Sequence, residues 1–240
     1  MAHAGQLRFV EQVAGFFPAY FSGVRVVEIG SLDINGSVRK LFTSPARYVG
    51  LDLEPGPGVD VTCLGHQFTT DSGTWDTALS CESFEHDPHF RDTFENMARL
   101  VRPGGLVLFT CATTGRPEHG TERSSPGSSP FTVKRGWEYY RNVTERDFDP
   151  VVLEGLFDGY AFFVSFQSAD LYFAGLTRGA SSGSRGQFEA MRAALVDYYH
   201  SLNRRPRYVL QQGVLLLLER LGPVGRAVVA LRRSLKARRD

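Results

Sequence analysis

The chain carries three cysteines, Cys63, Cys81 and Cys111, with no CxxC pair among them. So sparse and odd a set argues against a disulfide framework and for reduced thiols near strand ends. No apolar run approaches the roughly 20 residues that span a bilayer, and the N-terminus lacks the basic-then-apolar pattern of a secretory signal. A soluble, cytoplasmic protein is the expectation. The dinucleotide fingerprint GxGxxG is absent, which counts against NAD. Internal repeats are missing, and the body of the chain holds no basic and aromatic constellation, so no nucleic-acid partner is expected.

What is present is an uneven charge. From Arg204 onward ten Lys or Arg face two Asp or Glu, leaving 17 basic against 24 acidic residues over positions 1–203. At 240 residues and 42% hydrophobic, the chain can bury one good core, which suggests one enzyme-sized domain with appendages. Leu7, Val10, Val13, Phe17 and Phe21 recur at helical spacing and predict an amphipathic N-terminal helix. Apolar runs at 24–29, 48–53, 59–63, 75–80 and 106–110 read as buried parallel strands, and 160–167 and 171–176 as two more. The spacing predicts a helix over 87–101, closed by Pro103-Gly104-Gly105. Residues 113–136, rich in Gly, Ser, Pro and Thr, read as a lid loop or a disordered insert. Thr144 with Asp147 resembles a capping box opening a helix to Phe157. The expected plan is a domain over 1–178, a flexible linker at 179–186 within "RGASSGSRG", and a helical, basic extension over 187–240.

The segment "VVEIGSLDINGSVRKLF" (26–42) runs from a strand through acid-Ile-Gly and a small polar loop toward a helix, as in cofactor cradles. Asp52 follows Gly30 at the end of the second strand, where a carboxylate can hold both hydroxyls of a ribose. Farther on, "WDTALSCESFEHDPHFRDTFENMARLVRPGGLVLFTCA" (75–112) resembles the second half of class I S-adenosylmethionine (SAM) methyltransferases. With "VVEIG" and "YVGLDL", the resemblance covers roughly positions 24–112 in the family's order and spacing. It implies an α/β, Rossmann-like seven-stranded sheet flanked by helices, with S-adenosyl-L-methionine as cofactor. By that resemblance Glu28 sits near the methionine amino group, Gly30 lets the backbone approach, and Asp52 binds the ribose; Ser31, Leu53 and Ser80 complete the cofactor set. The family's GxGxG is reduced here to Gly30 and Gly36 with "SLDIN" between them.

In "SCESFEHDPH", Glu82, Glu85 and His86 lie at i, i+3 and i+4, so one helical turn would bring them to one face. Two carboxylates and one imidazole, with positions left for water, suit Mg2+ or Mn2+. The stretch also resembles the metal-dependent O-methyltransferases of ubiquinone biosynthesis, whose Glu-x-x-Glu-His set holds a divalent metal. That implies Glu82, Glu85 and His86 as metal ligands. The competing interpretation is an acidic helix start favoured by the macrodipole, capped by Asp87. His119 in "GRPEHGT" joins His86 as a candidate general base, its ordinary pKa suiting proton removal, or is an exposed loop residue. His66 and His89 are expected at the surface or in support. Trp137, Tyr139 and Tyr140, with Arg141 and Asn142, suit a polyhydroxylated ligand or fix the lid to the core.

The tail pairs Val228, Val229, Leu231 and Leu235 with six basic residues in an amphipathic pattern. It is read first as a helix packed on the acidic body or on a second subunit of a homo-oligomer, and second as a peripheral membrane contact. The expectation is a metal-assisted SAM-dependent O-methyltransferase. The "GSLDINGSVR" loop and the "HGT…YYRN" segment resemble small methyltransferases of glycan gene clusters, including those of mycobacterial methylmannose polysaccharide synthesis, which implies a sugar or oligosaccharide acceptor. The alternatives are a phenol or catechol O-methyltransferase of quinone-biosynthesis type and a SAM-binding scaffold without turnover.

Overall fold

The computed structural model describes residues 4–34, 36–222, 224, 225 and 228. Helix α1 (Ala4–Phe16) precedes strands β1 (Arg25–Ile29), β2 (Arg47–Asp52), β3 (Val61–Thr62) and β4 (Trp75–Cys81). Then come α2 (Phe90–Leu100), β5 (Val101–Ala112), α3 (Pro130–Lys134), α4 (Pro150–Leu156), β6 (Phe157–Ser165), β7 (Asp170–Thr177), α5 (Ser182–Asn203) and α6 (Pro206–Arg220). The strands form one seven-stranded sheet in the order β3-β2-β1-β4-β5-β7-β6. The pairings from β3 to β5 are parallel, while β7 runs antiparallel between β5 and β6. This is the expected α/β sheet, and all seven predicted strands are in it.

Each face of the sheet carries its own apolar layer. On one, Phe9, Val10 and Val13 of α1 and Phe188, Met191 and Leu195 of α5 cluster with Val26, Leu79, Leu108 and Ala174. On the other, Phe94 and Met97 of α2 and Leu153 of α4 cluster with Val27, Val49, Phe109 and Phe173. Strands covered on both faces have no polar side to show water, which is why β5 and β7 read as continuous apolar runs rather than alternations. Among the described residues no helix is long and apolar enough to cross a membrane, and the three cysteines are free.

Several local expectations are corrected. The chain after β1 makes only a 3-10 turn, Val38–Leu41, capped by the Ser37 hydroxyl accepting from the Arg39 amide at 3.0 Å, instead of a helix. Pro103-Gly104-Gly105 does not lie outside the strand but inside β5, where Trp75 pairs with Val101 and Thr77 with Leu106, so the extra residues form a bulge. The Thr144–Asp147 capping box is present but closes a 3-10 turn, Glu145–Asp147; Asp149 caps α4, its carboxylate accepting from the Val151 amide at 2.8 Å. The segment expected as a linker is half helix: Ser181 caps α5 by accepting from the Ser184 amide at 3.0 Å, and residues 182–186 are its first turns. Composition misled there, because the serine that looked like linker is the cap. The basic tail beyond position 222 lies almost entirely outside the described residues.

Helix α5 is thus part of the core. Phe188→Ala should cost about 3–5 kcal/mol of stability, the scale for a buried aromatic truncated to a cavity, measured by urea unfolding of the whole chain. A change below about 1 kcal/mol would mean that the sheet's core does not depend on α5.

Candidate active site

The carboxyl ends of β1, β2 and β4 open onto a cleft lined by Gly30, Asp52, Leu53, His66, Glu82, Ser83, His86, Phe131 and Trp137, among others. Open parallel sheets bind ligands at this edge, where strand order reverses and neighbouring loops diverge. Gly30 adopts φ +74°, and a Cβ there would lie 2.6 Å from the Ser83 Cβ. The loop after β4 therefore crosses the loop after β1 at a distance only glycine permits.

Asp52 forms the cleft's carboxylate. Its Oδ2 accepts from the Leu32 amide at 3.0 Å and its Oδ1 from the Leu53 amide at 2.7 Å, which fixes both oxygens. Burial raises its pKa, and the two amides work against that rise. Of the expected cofactor residues, Gly30, Asp52 and Leu53 line the cleft together. Glu28, Ser31 and Ser80 are buried behind it: the Glu28 carboxylate accepts from the Tyr48 hydroxyl at 2.7 Å, and the Ser31 hydroxyl lies where a Cβ on Gly50 would meet it at 2.6 Å. The segment just after β3, Cys63 to His66, also lines the cleft. Sequence reading missed it because nothing but its place after a strand marks it.

The lid is ordered and anchored beside Asp52. Lys134 meets Glu54 at 2.8 Å, and the Arg135 guanidinium donates to the Leu53 carbonyl at 2.9 Å. Phe131 and Thr132 of α3 thereby roof the cleft, with Trp137 beside them. Tyr140 packs against the rings of His86 and His119 at 5.6 and 5.0 Å, and its hydroxyl donates to Asn142 at 3.0 Å. Tyr140 and Asn142 therefore fix the lid; of the three aromatics expected there, Trp137 lines the cleft.

At the cleft's inner end is a buried polar cluster. Glu82 adopts φ +54°, a left-handed conformation rare outside glycine, and its amide donates to the Thr110 carbonyl at 2.8 Å. Its carboxylate turns to Arg116, 3.5 Å away, whose guanidinium also meets Asp170 at 3.1 Å. Burial works against the Arg116 charge, but Glu82 and Asp170 outweigh it and raise its pKa. Glu85 is fully buried, and neither of its carboxylate oxygens has a hydrogen-bond partner among the described residues. Burial, and then the Glu82 charge, hold its pKa well above the usual carboxylate range. His86 Nδ1 is likewise buried without a partner, and burial with the neighbouring His119 holds this imidazole's pKa well below its usual value. His119 is buried rather than exposed, its Nε2 4.0 Å from Glu85 Oε1. The expected trio of Glu82, Glu85 and His86 is not the one that converges. Among the described residues, the ligand atoms that lie within 4.8 Å of one another belong to Glu85, His86 and His119.

No family model and no curated protein matches the chain. Solved structures do. They include phosphoethanolamine N-methyltransferase 2 of Haemonchus contortus in complex with S-adenosyl-L-methionine, at TM-score 0.50 and 15% identity over 71% of this chain and 52% of that one, so the match spans about half its length. Two others are the 1,6-didemethyltoxoflavin-N1-methyltransferase of Burkholderia thailandensis with S-adenosylhomocysteine (TM-score 0.48, 14% identity, 70% and 77% covered) and the N-methyltransferase NodS of Bradyrhizobium japonicum with S-adenosylhomocysteine (0.45, 14%, 71% and 85%). The chain has the class I methyltransferase fold.

Burial pushes the Glu28 carboxyl up to about 7, against the hydrogen bond from Tyr48. A carboxyl raised in the folded state contributes stability that is fully present below its unfolded pKa and is lost as pH rises through 7. Urea unfolding at pH 4.5 and pH 8 should show wild type losing on the order of 3 kcal/mol more than Glu28→Gln across that window. Parallel losses would show that Glu28 ionises normally.

Proposed function

We propose that the chain is a SAM-dependent methyltransferase that methylates a hydroxyl of a sugar or oligosaccharide, a mannoside being the first acceptor to test. One observation carries this: Asp52 and His86 line the same cleft, so a carboxylate suited to a ribose and a buried neutral imidazole face one ligand. SAM supplies a methyl on a sulfonium, which needs an aligned nucleophile and an acceptor for that nucleophile's proton. Asp52, held by two amides, accepts hydrogen bonds from the ribose hydroxyls. Gly30 leaves the backbone open to the amino-acid part. Phe131, Thr132 and Trp137 cover the cleft and exclude water.

Burial, and then His119, favour the neutral form of His86, which has a lone pair for the hydroxyl proton. The class I fold serves nitrogen acceptors in the three neighbours named above, so the choice of oxygen rests on the polar inner end of the cleft. The orphaned oxygens of Glu85 and the Nδ1 of His86 also fit a divalent cation, which when bound would take the His86 lone pair and, in place of that base, lower the pKa of the acceptor hydroxyl. A phenol or catechol acceptor of quinone type is the second candidate, favoured by the exposed apolar residues Val209, Leu210, Val214 and Leu217 on α6, which suit a lipid-borne substrate.

Labelled methyl from SAM should appear on methyl mannosides faster than on catechols. Asp52→Ala should weaken S-adenosylhomocysteine binding by about 1.5–3 kcal/mol, the scale of charge-assisted hydrogen bonds. His86→Ala should lower kcat about 10²- to 10⁴-fold with that affinity unchanged. Tight NAD binding with no methyl transfer to either acceptor class would overturn the assignment.

A further inference from the structure

We infer that Glu85, His86 and His119 form a binding site for a first-row transition-metal dication, and that the ion clasps the lid to the sheet. Three residues from two separate segments meet there, with one ligand atom from each within 4.8 Å of the others, and all three are buried. Glu85 and His86 come from the 3-10 turn after β4, and His119 comes from the lid.

Two features point to a ligand beyond mere proximity. Both oxygens of a fully buried carboxyl and the Nδ1 of the adjacent imidazole have no hydrogen-bond partner among the described residues, an arrangement that costs several kcal/mol for a charged carboxylate unless a cation or donor occupies it. The nearby guanidinium is not that cation, because Arg116 pairs with Glu82 at 3.5 Å and Asp170 at 3.1 Å. His119 is also set up as a ligand. Its Nδ1 lies 3.1 Å from the Pro117 carbonyl; a carbonyl only accepts, so Nδ1 carries a proton and, in the neutral ring, Nε2, the nitrogen nearer Glu85, holds the lone pair. Metal-binding histidines are commonly oriented by such a second hydrogen bond.

The lid reaches His86 through Gly120, at φ +68°, where a Cβ would lie 2.6 Å from the His86 Cε1. A side chain at that position would hold the two imidazoles apart. Two imidazoles and one carboxylate favour Zn2+, Co2+ or Fe2+ over Mg2+, which prefers an oxygen shell and retains its water. This differs from a Glu-Glu-His set in both the ligands and the ion.

The site rests on the proposed function only for its use in turnover, and the test separates the two. The full chain is stripped with chelator, dialysed and titrated with Co2+, reading the visible d–d absorption and metal content per chain. Wild type and Glu82→Gln should bind one Co2+ each, while Glu85→Gln, His86→Ala and His119→Ala should weaken it at least about tenfold. Mg2+ at the same concentration should not displace it. Bound Co2+ should also slow trypsin cleavage at exposed Arg123 several-fold in wild type and not in His119→Ala. Circular dichroism identifies any variant that fails to fold; for such a variant, His119→Gln or Gly120→Ala is titrated instead, and each should also bind weakly. Absence of Co2+ binding by wild type, or full binding by His119→Ala with loss in Glu82→Gln, overturns the site. S-adenosylhomocysteine binding, measured on the same samples by calorimetry, reports on the proposed function alone.

Discussion

One half-buried guanidinium among three buried carboxylate side chains organises the working end of the molecule. Arg116 bonds to the Ser168 carbonyl at 2.6 Å, to Asp170 on β7 and to Glu82 after β4, so a lid residue ties together strands that are not neighbours in the sheet. Its charge is consumed by two of the carboxylates. The third, Glu85, sits in a low-dielectric setting with no hydrogen bond to Arg116, and burial and then Glu82 outweigh the more distant Arg116 charge and favour its protonated form. The same anchor brings His119, three residues farther on, against His86 at a ring separation of 5.0 Å.

The cleft follows from how the strands end. Parallel β1, β2 and β4 deliver Gly30, Asp52 and Glu82 to one edge: Gly30 permits a close approach, the Asp52 carboxylate is held by two amides, and Glu82 leaves its strand with a left-handed backbone. A left-handed non-glycine residue costs on the order of 1 kcal/mol and persists only where surrounding contacts over-determine it. At Glu82 those contacts are the bond to Thr110 and the ion pair to Arg116.

Much of this was legible beforehand. Buried parallel strands announce themselves as short apolar runs, and the run from Trp75 through Ala112 carried the family's order, so the sheet and the Asp52 side of the cleft could be read from residues alone. What stayed hidden depends on contacts between distant segments. Nothing in "GRPEHGT" says that His119 is buried against His86, and helical spacing in "ESFEH" suggests a Glu82–His86 face that the left-handed turn at Glu82 removes. The start of α5 was obscured by its Gly and Ser content, although Ser181 with Ser184 is a cap signal of the ordinary kind. In the lid, Pro130 at the first helical position after Ser129 marks α3, a cue that its loop-like composition concealed.

The most direct test of the account is a crystal structure of the chain with S-adenosylhomocysteine and Co2+, with anomalous scattering recorded at the cobalt edge. The account predicts ribose hydroxyls on Asp52, with one anomalous peak among Glu85, His86 and His119. Cofactor density elsewhere, or a cleft that remains empty at saturating S-adenosylhomocysteine, would contradict it.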